Sequence, residues 1–221
     1  MEAVAFFLAG LPLALVANRI VVRLTAFEDD PSERADRRRL PWQFGAWPAR
    51  VRWGVLLLLP PSMAVAGARF DLAQAAAVSL LVAALLMCTA TDLLRYRVPN
   101  AITYPGTVLA LAAAVLMPEG DIRDAVLAAV LGGALFLALA LLTRGGIGLG
   151  DVKLAMLIGA ALGLPFAYQA LLYGVLAAAA VMVALLLVGV VSRKQAIPYA
   201  PFLSLAAIAV TLLQGTAFAP L

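Results

Sequence analysis

Eight apolar stretches, at residues 3–22, 53–68, 72–90, 102–117, 125–142, 152–164, 167–191 and 199–214, follow one another with mostly short polar connections. A helix needs about 20 mostly apolar residues to cross the hydrocarbon core of a bilayer, and most of these stretches approach that length. Soluble domains carry about 25% charged residues. This chain is 13% charged and 65% hydrophobic, which leaves too little polar surface to wrap a soluble globule. The bilayer is the solvent. The expected fold is all-α: a polytopic membrane protein with about eight transmembrane helices, the N-terminus outside, and a single membrane-embedded domain over residues 1–221.

Charge orders the spans. Met1-Glu2 opens the first stretch, and Arg19 and Arg23 come late in it or after it. A secretory signal peptide has the reverse order, so an uncleaved anchor is expected. With the N-terminus outside, the inner connections hold residues 24–52, Arg95 and Arg97, Arg144 and Lys153, then Arg193 and Lys194. The outer ones hold Arg69 and Arg123 among Asp71, Glu119, Asp121 and Asp124. Such a Lys/Arg excess on one side is the positive-inside pattern. The net charge of +4 therefore reads as topology rather than nucleic-acid binding. Residues 24–52 read as a basic cytoplasmic loop within the domain. Trp42, Phe44, Trp47 and Trp53 suit the headgroup level; the functional alternative is a docking surface for an acidic or membrane-bound partner. Pro60-Pro61 should kink the second stretch, because proline removes a backbone donor. Stretch 152–164 is short for a span and calls for tilt or local thinning.

The chain has no histidine and a single cysteine, Cys88. That excludes zinc sites built from His or Cys, Ser-His and Cys-His nucleophiles, and any internal disulfide. Cys88 lies in an apolar run and reads as a small hydrophobe. Hydrolytic chemistry would have to rest on carboxylates. Two stand out at the inner ends of membrane helices, Asp92 at the end of the third stretch and Asp151 at the start of the sixth. Ionisable groups at membrane depth mark function. Two carboxylates a few ångströms apart share a proton and titrate as one unit. The ionised one takes a proton from water as it attacks a carbonyl, and the protonated one polarises that carbonyl. The structural alternatives are plain: Asp151 as a helix cap after Gly150, and Asp92 as the ion-pair partner of Arg95.

Asp151 closes a glycine-rich turn, Gly145-Gly146-Ile147-Gly148-Leu149-Gly150, which would let backbone approach an extended peptide. A phosphate cradle is the rival reading, but the lysine-and-hydroxyl ending of a P-loop is missing, since Leu154 follows Lys153. Lys153 and Arg144 also serve as positive-inside anchors. Pro99-Asn100 and Ile197-Pro198 suit the starts of spans.

These motifs resemble the type IV prepilin peptidases, membrane aspartyl proteases that include the preflagellin peptidases. The family's Gly-x-Gly-Asp motif reads as Gly148-Leu149-Gly150-Asp151, followed by Val152-Lys153-Leu154. Its other aspartate reads as Asp92, with Arg95, Arg97 and Pro99-Asn100 after it. The family's Ile-Pro-(aromatic)-small-Pro-Phe element reads as Ile197 through Phe202. The likeness runs from about residue 81 to the C-terminus. It implies an aspartic endopeptidase in the cell membrane that removes a short basic leader from prepilins or pseudopilins at the cytoplasmic face. Asp92 and Asp151 would be the catalytic pair, and Gly148, Gly150, Lys153, Pro99 and Asn100 the active-site loops. Substrate and membrane lipid are the expected partners, without nucleic acid. Many members also N-methylate the new terminus with S-adenosylmethionine and carry cysteine-bound zinc in the first loop. Residues 24–52 hold no cysteine, so no zinc is expected, and S-adenosylmethionine is not counted as a cofactor. The rival from another class is a small ion- or proton-coupled transporter using the same aspartates, disfavoured because both acids sit at one face and not at the midplane. An inert scaffold recruiting partners through the basic loop is a third reading.

Overall fold

The computed structural model describes residues 1–26, 47–143, 147–189 and 197–220. Most of the basic loop, including Arg37, Arg38 and Arg39, lies outside the described residues, as do Arg144, Gly145, Gly146, Arg193 and Lys194. The described helices are α1 (Glu2–Ala26), α2 (Trp47–Leu56), α3 (Leu59–Arg69), α4 (Leu72–Arg95), α5 (Asn100–Leu116), α6 (Ile122–Leu142), α7 (Leu149–Leu162), α8 (Phe166–Leu187) and α9 (Ala200–Gln214). A two-stranded antiparallel hairpin, β1 (Gly215–Thr216) and β2 (Ala219–Pro220), ends the described chain.

The protein is an all-α polytopic membrane protein. Each of the eight apolar stretches coincides with helix, but among the described residues five helical segments are long and apolar enough to cross a membrane: Glu2–Thr25, Ala49–Arg69, Leu72–Arg95, Ile122–Leu142 and Phe166–Leu187. Helices α5, α7 and α9 are shorter, at 17, 14 and 15 residues. The second stretch breaks at Leu57-Leu58, between α2 and α3, with prolines in the first turn of α3. Pro60 and Pro61 cannot donate to the carbonyls one turn earlier, so the ladder ends where the sequence places them. Arg52 of α2 donates to Asn18, tying this helix back to α1.

Beyond its first turn α7 is mostly buried, and α6 packs closely along it. Ala125, Ala128, Ala129, Gly132, Gly133 and Phe136 form one buried stripe along α6, at helical spacing. Small residues let helix backbones approach closely in a membrane. At Gly159 the approach is extreme: a Cβ there would stand 2.4 Å from the Ala128 carbonyl oxygen. Apart from Leu149, Gly150, Lys153 and Met156, every residue of α7 is buried. Helix α4 runs antiparallel to α9. Arg69, at the end of α3, donates to the Leu212 carbonyl at 2.9 Å near one end of α9, and the other end meets the end of α4. The hairpin closes the far end of the bundle, where Ala217 donates to the Ala161 carbonyl at 3.0 Å.

Candidate active site

Asp92 lies in the last turn of α4 and is 5% exposed; Asp151 is the third residue of α7 and is 8% exposed. Helix α4 ends within one turn of Asp92, at Arg95. The Tyr96 N–H closes the last turn on the Asp92 carbonyl at 2.8 Å, and Tyr96 itself adopts a left-handed conformation, φ 54°. That turn sends Arg97, Val98 and Pro99 across the start of α7. Gly150 makes a tight approach there: a Cβ would stand 3.1 Å from the Cβ of Val98. Glycine thus brings the first turn of α7 against the connection that follows Asp92.

The two carboxylates share one cavity of about 480 Å³, lined also by Leu24 and Thr25 from the end of α1. Each is held by a backbone donor. The Gly148 N–H reaches Asp151 Oδ2 at 3.1 Å, and the Ala200 N–H reaches Asp92 Oδ2 at 3.0 Å. Asp151 therefore does cap its helix, as the structural alternative has it, and lines the cavity at the same time. Ala200 is the first residue of α9, so the positive end of that helix faces Asp92. Burial, then the charge of Asp92, pushes the Tyr96 phenol up to about 12. Burial and then the charge of Asp151 likewise raise Tyr199.

Every site residue expected from the sequence lines this cavity: Asp92, Pro99, Asn100, Gly148, Gly150, Asp151 and Lys153. Lys153 Nζ donates to Asn100 Oδ1 at 2.7 Å and lies 5.5 Å from the centre of the Tyr104 ring. Three contributors carry no signal of their own in the sequence. Tyr104 is one turn beyond Asn100, Val98 acts through its bulk against Gly150, and Ala200 acts through its backbone. The Ile197–Phe202 element was the only pointer to the last. Among the described residues, no three His, Cys, Asp or Glu side chains gather as a metal site. Cys88 is fully buried one turn before Asp92.

Residues 79–183 match the model of the type IV leader peptidase family. This stretch of the chain is similar to that family. It runs from α4 into α8 and contains both aspartates. A prepilin leader peptidase/N-methyltransferase of Bacillus subtilis (strain 168) is 35% identical over 147 residues, which are 66% of this chain. The match spans 59% of that relative's length. No solved structure matches the chain.

Proposed function

We propose that this protein is a membrane aspartyl endopeptidase that removes the short basic leader from prepilin- or pseudopilin-like proteins, with Asp92 and Asp151 as the catalytic pair. One observation carries the reading: two buried carboxylates, from helices 59 positions apart at Asp92 and Asp151, line a single cavity. The likeness to the type IV leader peptidase family suggests the reaction class. The positive-inside pattern favours the cytoplasmic face of the cell membrane for this cavity.

In the proposed reaction one aspartate is ionised and the other protonated, because like charges at close range disfavour a doubly ionised pair. The ionised carboxylate takes a proton from water, and the water oxygen bonds to the scissile carbonyl carbon. The protonated carboxyl gives its proton to the carbonyl oxygen. Collapse of the tetrahedral intermediate breaks the C–N bond, and a proton returns to the departing amine. The Gly148 and Ala200 N–H groups each hold one carboxylate oxygen, which keeps both side chains in one orientation through the cycle. Gly148 and Gly150 line the edge along which an extended peptide backbone would run, with Lys153 and Asn100 as its polar rim.

The transporter reading is not favoured, since the acids lie at helix ends and open into one cavity. Zinc does not fit the first loop, which has no cysteine to bind it. Methyl transfer, which the Bacillus relative's name includes, is not part of this proposal.

The test is co-expression with a prepilin-like protein encoded by the same organism, reading its intact mass. Wild type is expected to remove the leader, and Asp92→Asn and Asp151→Asn to leave it. A cleaving single variant overturns the dyad. An added methyl group, about 14 Da, on the cleaved product would add the second activity.

A further inference from the structure

A second cavity, of about 510 Å³, lies between α1, α4 and α5 over the buried Leu157 of α7. Its walls include Leu13 and Ile20 of α1, Leu80 and Met87 of α4, and Pro105 and Leu109 of α5. All of its lining residues are apolar. It opens sideways from the bundle, for Leu80 is 56% exposed, Leu109 60% and Leu116 79%.

The groove is long. It follows α5 from Ala101 to Met117, which at about 1.5 Å per residue is about 24 Å. A bilayer core is about 30 Å thick, so one leaflet is about 15 Å deep. A single acyl chain belongs to one leaflet; this groove crosses most of both. Within lipid, a peptide must satisfy its own backbone, which means a helix. Ala77, Ala84, Gly106 and Ala113 in the lining allow a helix to come close. One end of the groove meets the acid-bearing cavity: Ala101 lines both.

We infer that this groove seats the apolar membrane helix of the substrate, so that the segment beyond the helix end passes Ala101 and reaches Asp92 and Asp151. The inference rests on the peptidase reading and adds the route by which the membrane-anchored part of the substrate is held. It also accounts for a site at helix ends: the segment to be cut lies past the end of a helix, where it can be extended.

The test uses photo-crosslinking in the non-cleaving Asp151→Asn protein, in membranes, with the prepilin-like substrate that wild type processes. A benzophenone amino acid replaces Leu80 or Leu109 in the groove, or Leu131 on α6 or Tyr173 on α8 as exposed positions outside it. Crosslinks to substrate from Leu80 and Leu109 at least tenfold above those from Leu131 and Tyr173 are expected. Equal crosslinking from all four positions, or crosslinks from the groove to lipid alone, overturns the assignment while leaving the peptidase reading intact. Failure of wild type to cleave any such substrate sinks both. As a second readout, wild type should cleave a soluble peptide that spans the junction but lacks the apolar helix at least tenfold less efficiently. Equal efficiency on the two substrates overturns the groove assignment.

Discussion

The Ala200 N–H donates to Asp92 Oδ2 at 3.0 Å across 108 positions of sequence. This contact puts the N-terminus of α9 against the last turn of α4. One lobe of the Asp92 carboxylate is thereby held by a helix end, while the residue still lines the cavity it shares with Asp151. Asp151 is held locally, by the Gly148 N–H at the N-cap of its own helix. Each aspartate thus has a backbone donor on one carboxylate oxygen.

Asp92→Asn and Asp151→Asn each should lower leader removal by about 10³-fold or more, because each deletes one half of an acid–base pair. The double variant should be no worse than the weaker single one, since residues acting as a unit are not additive. Initial rates by intact mass give both comparisons. Thermal unfolding in detergent should change little, as Asn keeps the shape and removes a buried charge.

Gly159 and Gly54 should behave in opposite ways. Ala at 159 would place a Cβ within 2.4 Å of the Ala128 carbonyl oxygen and 2.6 Å of its carbon. Forcing α6 and α7 apart should cost about 1–3 kcal/mol, and Leu in the same place should abolish folding. A Cβ at Gly54, in the last turn of α2, meets nothing within 4 Å. Gly54→Ala should therefore stabilise by up to about 1 kcal/mol through helix propensity. Paired melting curves in one detergent check the contrast.

Lys153 and Asn100 should act as one unit at the rim of the cavity. Their hydrogen bond is solvent-exposed, so Lys153→Ala and Asn100→Ala should each change stability by less than about 1 kcal/mol. Each should lower cleavage by about tenfold, and the double variant by little more than either single, as expected of contacting residues. A double-mutant cycle on kcat/KM measures this. Fully additive losses would show that the two residues act separately.

Cys88 should be silent to a thiol reagent in the folded protein. It is fully buried in α4, one turn from Asp92, and thiol reactivity needs access to the thiolate. Maleimide labelling, read by mass, should stay near zero in mild detergent and reach completion after denaturation. Prompt labelling of folded protein would contradict the packing of α4 against α9.

Much of this molecule is legible in its residues. The low charge and the spacing of apolar stretches decide that it lives in a membrane, because burial of apolar surface does not depend on how the pieces are arranged. Pro60-Pro61 announces the break between α2 and α3 for the same local reason. The absence of histidine, with one cysteine in an apolar run, leaves carboxylates as the only plausible hydrolytic groups, and the motifs around Asp92 and Asp151 single out two of them. The expected span lengths were less secure. Hydropathy marks where helix lies, yet α5, α7 and α9 run to only 17, 14 and 15 residues.

What only the tertiary structure decided is which surfaces meet. Whether α4 and α7 would turn their aspartates to one cavity depends on the interlocking of Gly159 with Ala128 and of Gly150 with Val98, contacts between residues that look ordinary in a membrane sequence. The Ala200 donor is a backbone group and leaves no mark in the residue type. The groove along α5 comes from three helices that leave a gap between them. Composition and periodicity report what each segment prefers as its surroundings, which is a local property. Close approach, orientation and empty space belong to pairs and triples of segments far apart in the chain, and only packing specifies them.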